Sequence, residues 1–308
     1  MKTRSTKNAA TKTLQGYGED RLIAELTRAL PRAETVRVGV GDDCAVIGGA
    51  RAARWTLLKT DAVVEGVHFH AEEDYRRVGW KALCRAISDI AAMGGSPEHA
   101  LVTVALPVAM EVDRIRDFYA GLKRAAKRFG VSIVGGETAR SPGVFFCSIT
   151  LTGSVERARC VLRSGGRAGD AIYVTGRLGG SLASGKHLDF TPRLAEARWL
   201  TENFRLTAMM DLSDGLGADL PRLAKASRCG FTVDVEWIPR SPGVTTEEAL
   251  CDGEDFELLF CLPPKDGAQL ESSWRRQFPR LKLTRIGALT SHARSQEPSA
   301  FHGFDHFA

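Results

Sequence analysis

The sequence predicts a mixed α and β fold in two parts, and three observations carry that prediction. Helical and strand periodicities alternate along the chain, the pattern of α/β and α+β architectures. The 308 residues suffice for two domains of ordinary size. Between the halves, residues 152–169 turn loop-like and rich in Arg, Ser and Gly. The expected division is therefore a basic, disordered tail over 1–17, a first domain over 18–152 and a second over 153–308.

In the first part, 36–40 and 55–64 read as strands. A helix is expected over 76–93, because Val78, Leu83, Ala86, Ile87 and Ile90 recur at helical spacing. A strand over 101–106 is closed by Pro107. Val112, Ile115, Tyr119, Leu122 and Ala126 mark a second amphipathic helix. Short strands follow at 132–134 and 144–151. In the second part, strands are expected at 170–175, 231–235, 256–262 and 281–289. Helices are expected at 192–201, 215–227 and 266–276.

Composition narrows the function. Hydrophobic residues make up 44% and charged residues 26%, and no apolar run approaches the ~18 residues of a membrane span. The basic N-terminus lacks the apolar segment of a secretory signal. Seven scattered cysteines, odd in number and without a CxxC pair, point to free thiols in a cytoplasmic protein. The net charge of +5 is not gathered into an aromatic-interleaved stripe, so it suits small anions rather than nucleic acid.

The chemistry lies in where acids stand beside glycine or at strand ends. Gly41-Asp42-Asp43 follows the first strand, and Gly135-Gly136-Glu137 follows a later one. Asp211-Leu212-Ser213-Asp214-Gly215 precedes a helix, and Gly253-Glu254-Asp255 precedes a strand. Any one of these could be a turn or a helix cap. Asp61 and Asp89 are different, because each interrupts an apolar element, where an unpaired charge is costly. Converging carboxylates repel one another, and hard cations such as Mg²⁺ relieve that repulsion. Neighbouring glycines let backbone N–H groups approach phosphate. Residue chemistry alone thus reaches a magnesium–nucleotide site.

Two other signals are weaker. The stretch from Gly180 to Gly185-Lys186 nearly spells a phosphate loop, but His187 stands where a Ser or Thr would hold magnesium. It reads instead as a Gly-rich turn. His68-Phe69-His70 lacks a third ligand in sequence, and His70 reads as an ordinary strand histidine.

Eight stretches in order resemble the thiamine-monophosphate kinase family from about Gly18 to Ala308. They are VGDDCAVI (40–47), TDAVVEGVHF (60–69), KALCRAISDIAAMGGSP (81–97), VGGETAR (134–140), LRSGGRAGDAIYVTGRLG (162–179), DLSDGL (211–216), DGEDFELLF (252–260) and GFDHF (303–307). The resemblance implies an aminoimidazole-ribonucleotide synthetase-like fold of two domains. Its N-terminal α/β domain pairs with that of a second subunit, and its C-terminal domain is α+β.

The resemblance also implies roles. Asp43, Asp61, Asp89, Glu137, Asp211 and Asp214, assisted by Thr60, become ligands for several Mg²⁺ ions. Gly136, Arg163 and Ser213 become ATP contacts, with Tyr119 a further nucleotide candidate. His68, Glu254 and Phe304 or Phe301 become contacts to thiamine monophosphate. Arg163, Asp211 and Asp214 are the expected catalytic groups.

The chain departs from the family pattern in four places. Glu137 replaces an Asp, Lys59 a small hydroxyl residue and Ala139 a Thr, and the segment between Gly180 and Pro192 is short. The expected activity is in-line transfer of the γ-phosphoryl group of ATP to thiamine monophosphate. The alternatives are another ATP-using enzyme of the same superfamily and a nucleotide-binding relative that has lost activity.

Overall fold

The computed structural model describes residues 13–291 and 303–304. The expected tail and Phe301 lie largely or wholly outside these residues. The chain opens with helix α1 (Glu19–Thr27) and builds β1 (Val36–Val38), β2 (Ala45–Ile47), β3 (Arg54–Val64), α2 (Tyr75–Ala92), β4 (Ser96–Pro107), α3 (Val112–Phe129), β5 (Ser132–Ser141) and β6 (Phe146–Glu156). The six strands form one sheet in the order β1-β2-β3-β6-β4-β5, antiparallel except for the parallel β4–β5 pair.

One face of this sheet carries the helices. Leu57, Val63, Val102, Val104, Cys147 and Ile149 point into a core with Leu83, Ile87, Ile90, Phe118 and Leu122. The two helices approach closely where Gly79 of α2 meets α3 and Gly121 of α3 meets α2. A Cβ at Gly79 would lie 1.9 Å from the Phe118 carbonyl oxygen, and one at Gly121 would lie 1.9 Å from that of Arg76. This crossing fixes the rotation of α2 and aims its polar stripe. The opposite face of the sheet is open, with Thr60, Leu101, Val134 and Thr150 exposed.

The second part holds β7 (Ala171–Thr175), α4 (Ser181–Ser184), α5 (Lys186–Asp189), α6 (Leu194–Asn203), β8 (Ala208–Asp211), α7 (Leu216–Ala226), β9 (Gly230–Val233), α8 (Thr246–Cys251), β10 (Leu258–Leu262), α9 (Gly267–Gln277) and β11 (Leu283–Thr290). Its five strands run β8-β10-β7-β11-β9, with every pairing antiparallel. The two halves meet where Ala91 and Ala92 of α2 enter the second core beside Met209 and Phe260.

The expected elements are present, with some bounds moved. β6 continues to Glu156, so the linker begins later than composition suggests. β5 runs on to Ser141 through the glycines that read as its end. All seven cysteines carry free thiols. No helix among the described residues is long and apolar enough to cross a membrane.

Candidate active site

Helix α2 organises the site. Lys81, Arg85 and Asp89 are four residues apart, so they line one face of the helix turn by turn. Asp89 meets two other acids: carboxylate oxygens of Asp43, Asp89 and Asp211 lie within 4.8 Å of one another, and all three residues are buried. Asp43 comes from the turn between β1 and β2, and Asp211 ends β8, so the cluster sits at the seam between the sheets. The Ser88 hydroxyl donates to Asp211 Oδ2 (2.5 Å) across that seam.

Cations flank the acids. Lys59 Nζ donates to Asp89 Oδ1 (2.7 Å), and Arg163 Nη2 donates to Asp43 Oδ1 (2.6 Å). The Arg163 backbone N–H donates to both oxygens of Asp42 (3.2 and 3.1 Å). Arg85 reaches Asp61 (3.5 Å) on one side and Glu254 (3.1 Å) on the other. Asp214 pairs with Arg222, which also bonds Asp219 (3.1 Å). Asp219 in turn accepts the backbone N–H groups of Ser213 and Asp214, both at 3.0 Å, and so fixes the Asp211–Gly215 turn.

These counter-ions do not neutralise the cluster. Burial, then the neighbouring Asp43, push Asp211 up to about 7. Burial and Asp43 push Asp42 up to about 7 as well. Asp89 is raised by burial and by its three acidic neighbours despite Lys59. Burial alone would raise Asp61, but Lys59 and Arg85 outweigh it and hold this carboxyl low. Asp43 Oδ2 is buried and has no hydrogen-bond partner among the described residues. Three buried carboxylates grouped together, one of them with an oxygen that no donor among the described residues meets, form the donor set of a hard divalent cation.

A pH prediction follows. The unfolded chain releases the Asp42 and Asp211 protons near the ordinary carboxylate value of 3.8, whereas the fold retains them to about 7. Between these values the folded state holds more protons, so metal-free stability falls as pH rises through the window. We expect the metal-free melting temperature to drop between pH 5 and 8. Saturating Mg²⁺ should remove most of that drop, because a cation favours the ionised carboxylates. Melting curves with EDTA and with Mg²⁺ check this; parallel pH profiles would contradict it.

A cleft of about 620 Å³ opens beside the cluster, lined by Asp42, Lys59, Asp61, Asp89, Arg163, Ser213, Asp214 and residues of α1. A second pocket adjoins it and shares Arg85, Ser213 and Asp214. Its other lining residues include Val67, His68, Glu254 and Phe304. Lys81, wholly buried, donates to both Glu254 Oε2 and the His68 carbonyl at 2.6 Å, tying two of these groups together. Glu254 has φ +53°, a strained left-handed conformation, held by its N–H to Ser213 O (2.7 Å). The Phe304 N–H donates to Asp214 O (3.0 Å), and the residue, 45% exposed, lines the pocket. A separate cleft around Arg177 and Trp237 contains none of these groups.

The structure thus brings together Asp43, Asp61, Asp89, Asp211, Asp214, Arg163 and Ser213, and beside them His68, Glu254 and Phe304. Four expected residues stand apart from the cleft lining. The Thr60 hydroxyl lies on the open face of the sheet, bonded to Ser148 (3.2 Å), because strand alternation turns it away from Lys59 and Asp61. Gly136 and Glu137 are exposed on edge strand β5, with β6 and β4 between them and β3. Tyr119 lies on α3, edge-on to Phe118 and against the first core. Lys59, which departs from the family pattern, points into the carboxylates.

The near phosphate loop is no phosphate cradle. Gly179 and Gly180 donate their N–H groups to Asp255 and Asp252, and Lys186 faces Asp255 and Glu257. Lys81, Arg85 and Asp42 are site residues that the motif reading did not assign.

Comparison with known proteins agrees with this geometry. The family model for AIR synthase related protein, N-terminal domain, matches residues 41–155, and that for the C-terminal domain matches 167–296. The chain is 39% identical over 279 residues to thiamine-monophosphate kinase of Rhodopirellula baltica, covering 85% of each chain. It is 32% identical to that of Salmonella typhimurium, covering 94% of this chain and 98% of the relative. The structure of AaThiL complexed with AMPPCP and TMP superposes with a TM-score of 0.81 at 31% identity, covering 97% of this chain and 100% of that one.

Proposed function

We infer, from the premise that this chain belongs to the thiamine-monophosphate kinase family of AIR synthase related proteins, that it phosphorylates thiamine monophosphate with ATP. The products are thiamine pyrophosphate and ADP. The observation that carries this reading is the buried Asp43–Asp89–Asp211 cluster, with its unpartnered Asp43 oxygen, opening beside a pocket that offers a carboxylate and an aromatic ring.

The acceptor needs no strong base, since a phosphate monoester is mostly dianionic above its second pKa of about 6. The obstacle is bringing two anions together in line, which positioning and charge neutralisation overcome. Asp43, Asp89 and Asp211, with Asp61 and Asp214 at the rim, would hold Mg²⁺, which supplies charge neutralisation on the phosphates when bound. Arg163, fixed by Asp42 and Asp43, places a permanent cation at the cleft wall. The turn at Ser213 and Asp214, whose N–H groups Asp219 accepts, places these two residues at the junction of cleft and pocket. Glu254 and Phe304 suit the thiazolium cation, one by charge and the other by its ring face. Lys81 and Arg85 hold Glu254 in place through ion pairs.

We also read the open face of the first sheet as the surface that a second copy covers in a homodimer. Thr60, Gly136 and Glu137 lie along that side, so their proposed nucleotide and metal roles depend on the pairing.

The test is product formation by purified protein with ATP and Mg²⁺. ADP release should require thiamine monophosphate, and unphosphorylated thiamine should not replace it. Thiamine pyrophosphate should appear in equal amount. ADP release that ignores thiamine monophosphate at every Mg²⁺ concentration would overturn the reading.

A further inference from the structure

We propose that the Lys59 ammonium is a built-in cation that takes the place of one divalent ion in the carboxylate cluster. The chain then binds one divalent cation fewer than its acids alone would call for. This rests on the kinase reading of the site but concerns how the site is neutralised.

Strand alternation on β3 turns Lys59 and Asp61 to the same, helix-covered face, while Thr60 between them faces away. Lys59 Nζ then lies 2.7 Å from Asp89 Oδ1, and its side chain is only 22% exposed. It lines the same cleft as Asp42, Asp61, Asp89 and Arg163. The ammonium is therefore not a surface lysine reaching to an acid at the rim. It pairs with Asp89, one member of the acid cluster, while Arg163 pairs with another, Asp43.

The acids divide accordingly. Asp89 already holds an organic cation through Lys59, and Asp43 holds one through Arg163 on Oδ1 alone. Asp211 accepts from the Ser88 hydroxyl, and Asp43 Oδ2 has no partner among the described residues. Asp43 Oδ2 and the Asp211 carboxylate thus remain for a divalent ion, whereas Asp89 Oδ1 is taken by Lys59. An ammonium carries one charge and bonds through hydrogens at about 2.7–2.9 Å, so it cannot share the short oxygen contacts of a magnesium ion. A metal on that side would have to displace it.

The experiment counts Mn²⁺ bound by the full-length protein, by electron paramagnetic resonance of the free ion, with a non-hydrolysable ATP analogue present. Wild type, Lys59→Ser, Lys59→Ala and Lys59→Arg are compared. Lys59→Ser and Lys59→Ala should each bind one more Mn²⁺ than wild type, and Lys59→Arg should bind the same number as wild type. In EDTA the Ser and Ala variants should melt below wild type, and Mn²⁺ should raise their melting temperature more than that of wild type. If they fold only with Mn²⁺, the metal is replacing the ammonium and the inference stands.

Equal Mn²⁺ stoichiometry, with dissociation constants within twofold of wild type, would overturn it. A raised KM for ATP at unchanged stoichiometry would also overturn it, making Lys59 a phosphate contact. Failure of the Ser and Ala variants to fold even in Mn²⁺ would make the lysine a structural counter-ion and do the same. The Mn²⁺ count and the melting curves require no turnover, so loss of the kinase reading would be seen separately, in the absence of ADP and thiamine pyrophosphate.

Discussion

Asp211→Asn should lower kcat/KM by roughly 10³-fold while making the metal-free protein more heat-stable at pH 8. The carboxylate is buried, ends β8 and faces Asp43 and Asp89. Its ionisation is opposed by burial and by Asp43, so at pH 8 the metal-free fold carries an unfavourable charge there. Asn is nearly isosteric and can still accept from the Ser88 hydroxyl, so the seam keeps its hydrogen bond. Removing the charge should raise the melting temperature in EDTA by a few degrees. The stabilisation that Mg²⁺ gives wild type should largely disappear, because the ligand set has lost an anion. Gain of stability together with loss of turnover separates a metal-binding role from a structural one. A variant within tenfold of wild-type kcat/KM would remove Asp211 from the account.

Glu254→Gln should raise KM for thiamine monophosphate by about 10²-fold, equivalent to about 2.7 kcal/mol of binding, and leave KM for ATP nearly unchanged. The carboxylate lies in the pocket beside Phe304, where the thiazolium cation is expected, and away from the Asp43–Asp89–Asp211 cluster. Its loss also strands Lys81, which is wholly buried and whose only carboxylate partner at hydrogen-bond distance among the described residues is Glu254. Breaking a buried ion pair from one side costs up to about 3–5 kcal/mol, and the Gln carbonyl oxygen recovers part of it by accepting from Lys81. Melting temperature should therefore fall, and Lys81→Met in the same chain should restore some of it, since no buried charge is then unpaired. The KM effect should persist in the double variant. If Glu254→Gln changed KM for both substrates equally, the pocket would not be the acceptor site.

The site was legible where a charge contradicts its element. Asp61 in an apolar strand and Asp89 in an apolar helix declared themselves, because neither turn nor cap explains them. Asp43, Asp211 and Asp214 were legible through their glycine and serine neighbours together with the eight ordered motifs. Lys81 and Arg85 carried the same signal as Asp89, a polar stripe at four-residue spacing on one apolar helix. They were passed over because long cationic side chains are usually read as reaching water. Their partner Glu254 lies far along the chain, and no local pattern announces that pairing.

The fold was legible where periodicity is long. Helices α2 and α3 were expected nearly whole, whereas three-residue β2 is too short to show a period. Strand β5 was cut at Val134 because Gly135-Gly136 reads as a turn. In the fold these glycines continue a strand pressed against β4, where a Cβ at Gly136 would lie 1.8 Å from the Val102 carbonyl oxygen. The glycine marks a close approach of two backbones, and sequence alone does not distinguish that from a bend. Thr60 shows the reverse case: it stands within one of the eight motifs, but strand alternation places its hydroxyl on the far face.

The central claim is that Asp43, Asp89 and Asp211 form the metal site of the phosphoryl transfer. Anomalous diffraction from crystals soaked in Mn²⁺ with a non-hydrolysable ATP analogue and thiamine monophosphate tests it most directly. The account predicts at least one anomalous peak about 2.1 Å from oxygens of Asp43 and Asp211, with the analogue's phosphates on its open side and the thiamine ring beside Phe304. Peaks confined to other acids, with Asp43 Oδ2 still without a partner, would contradict it.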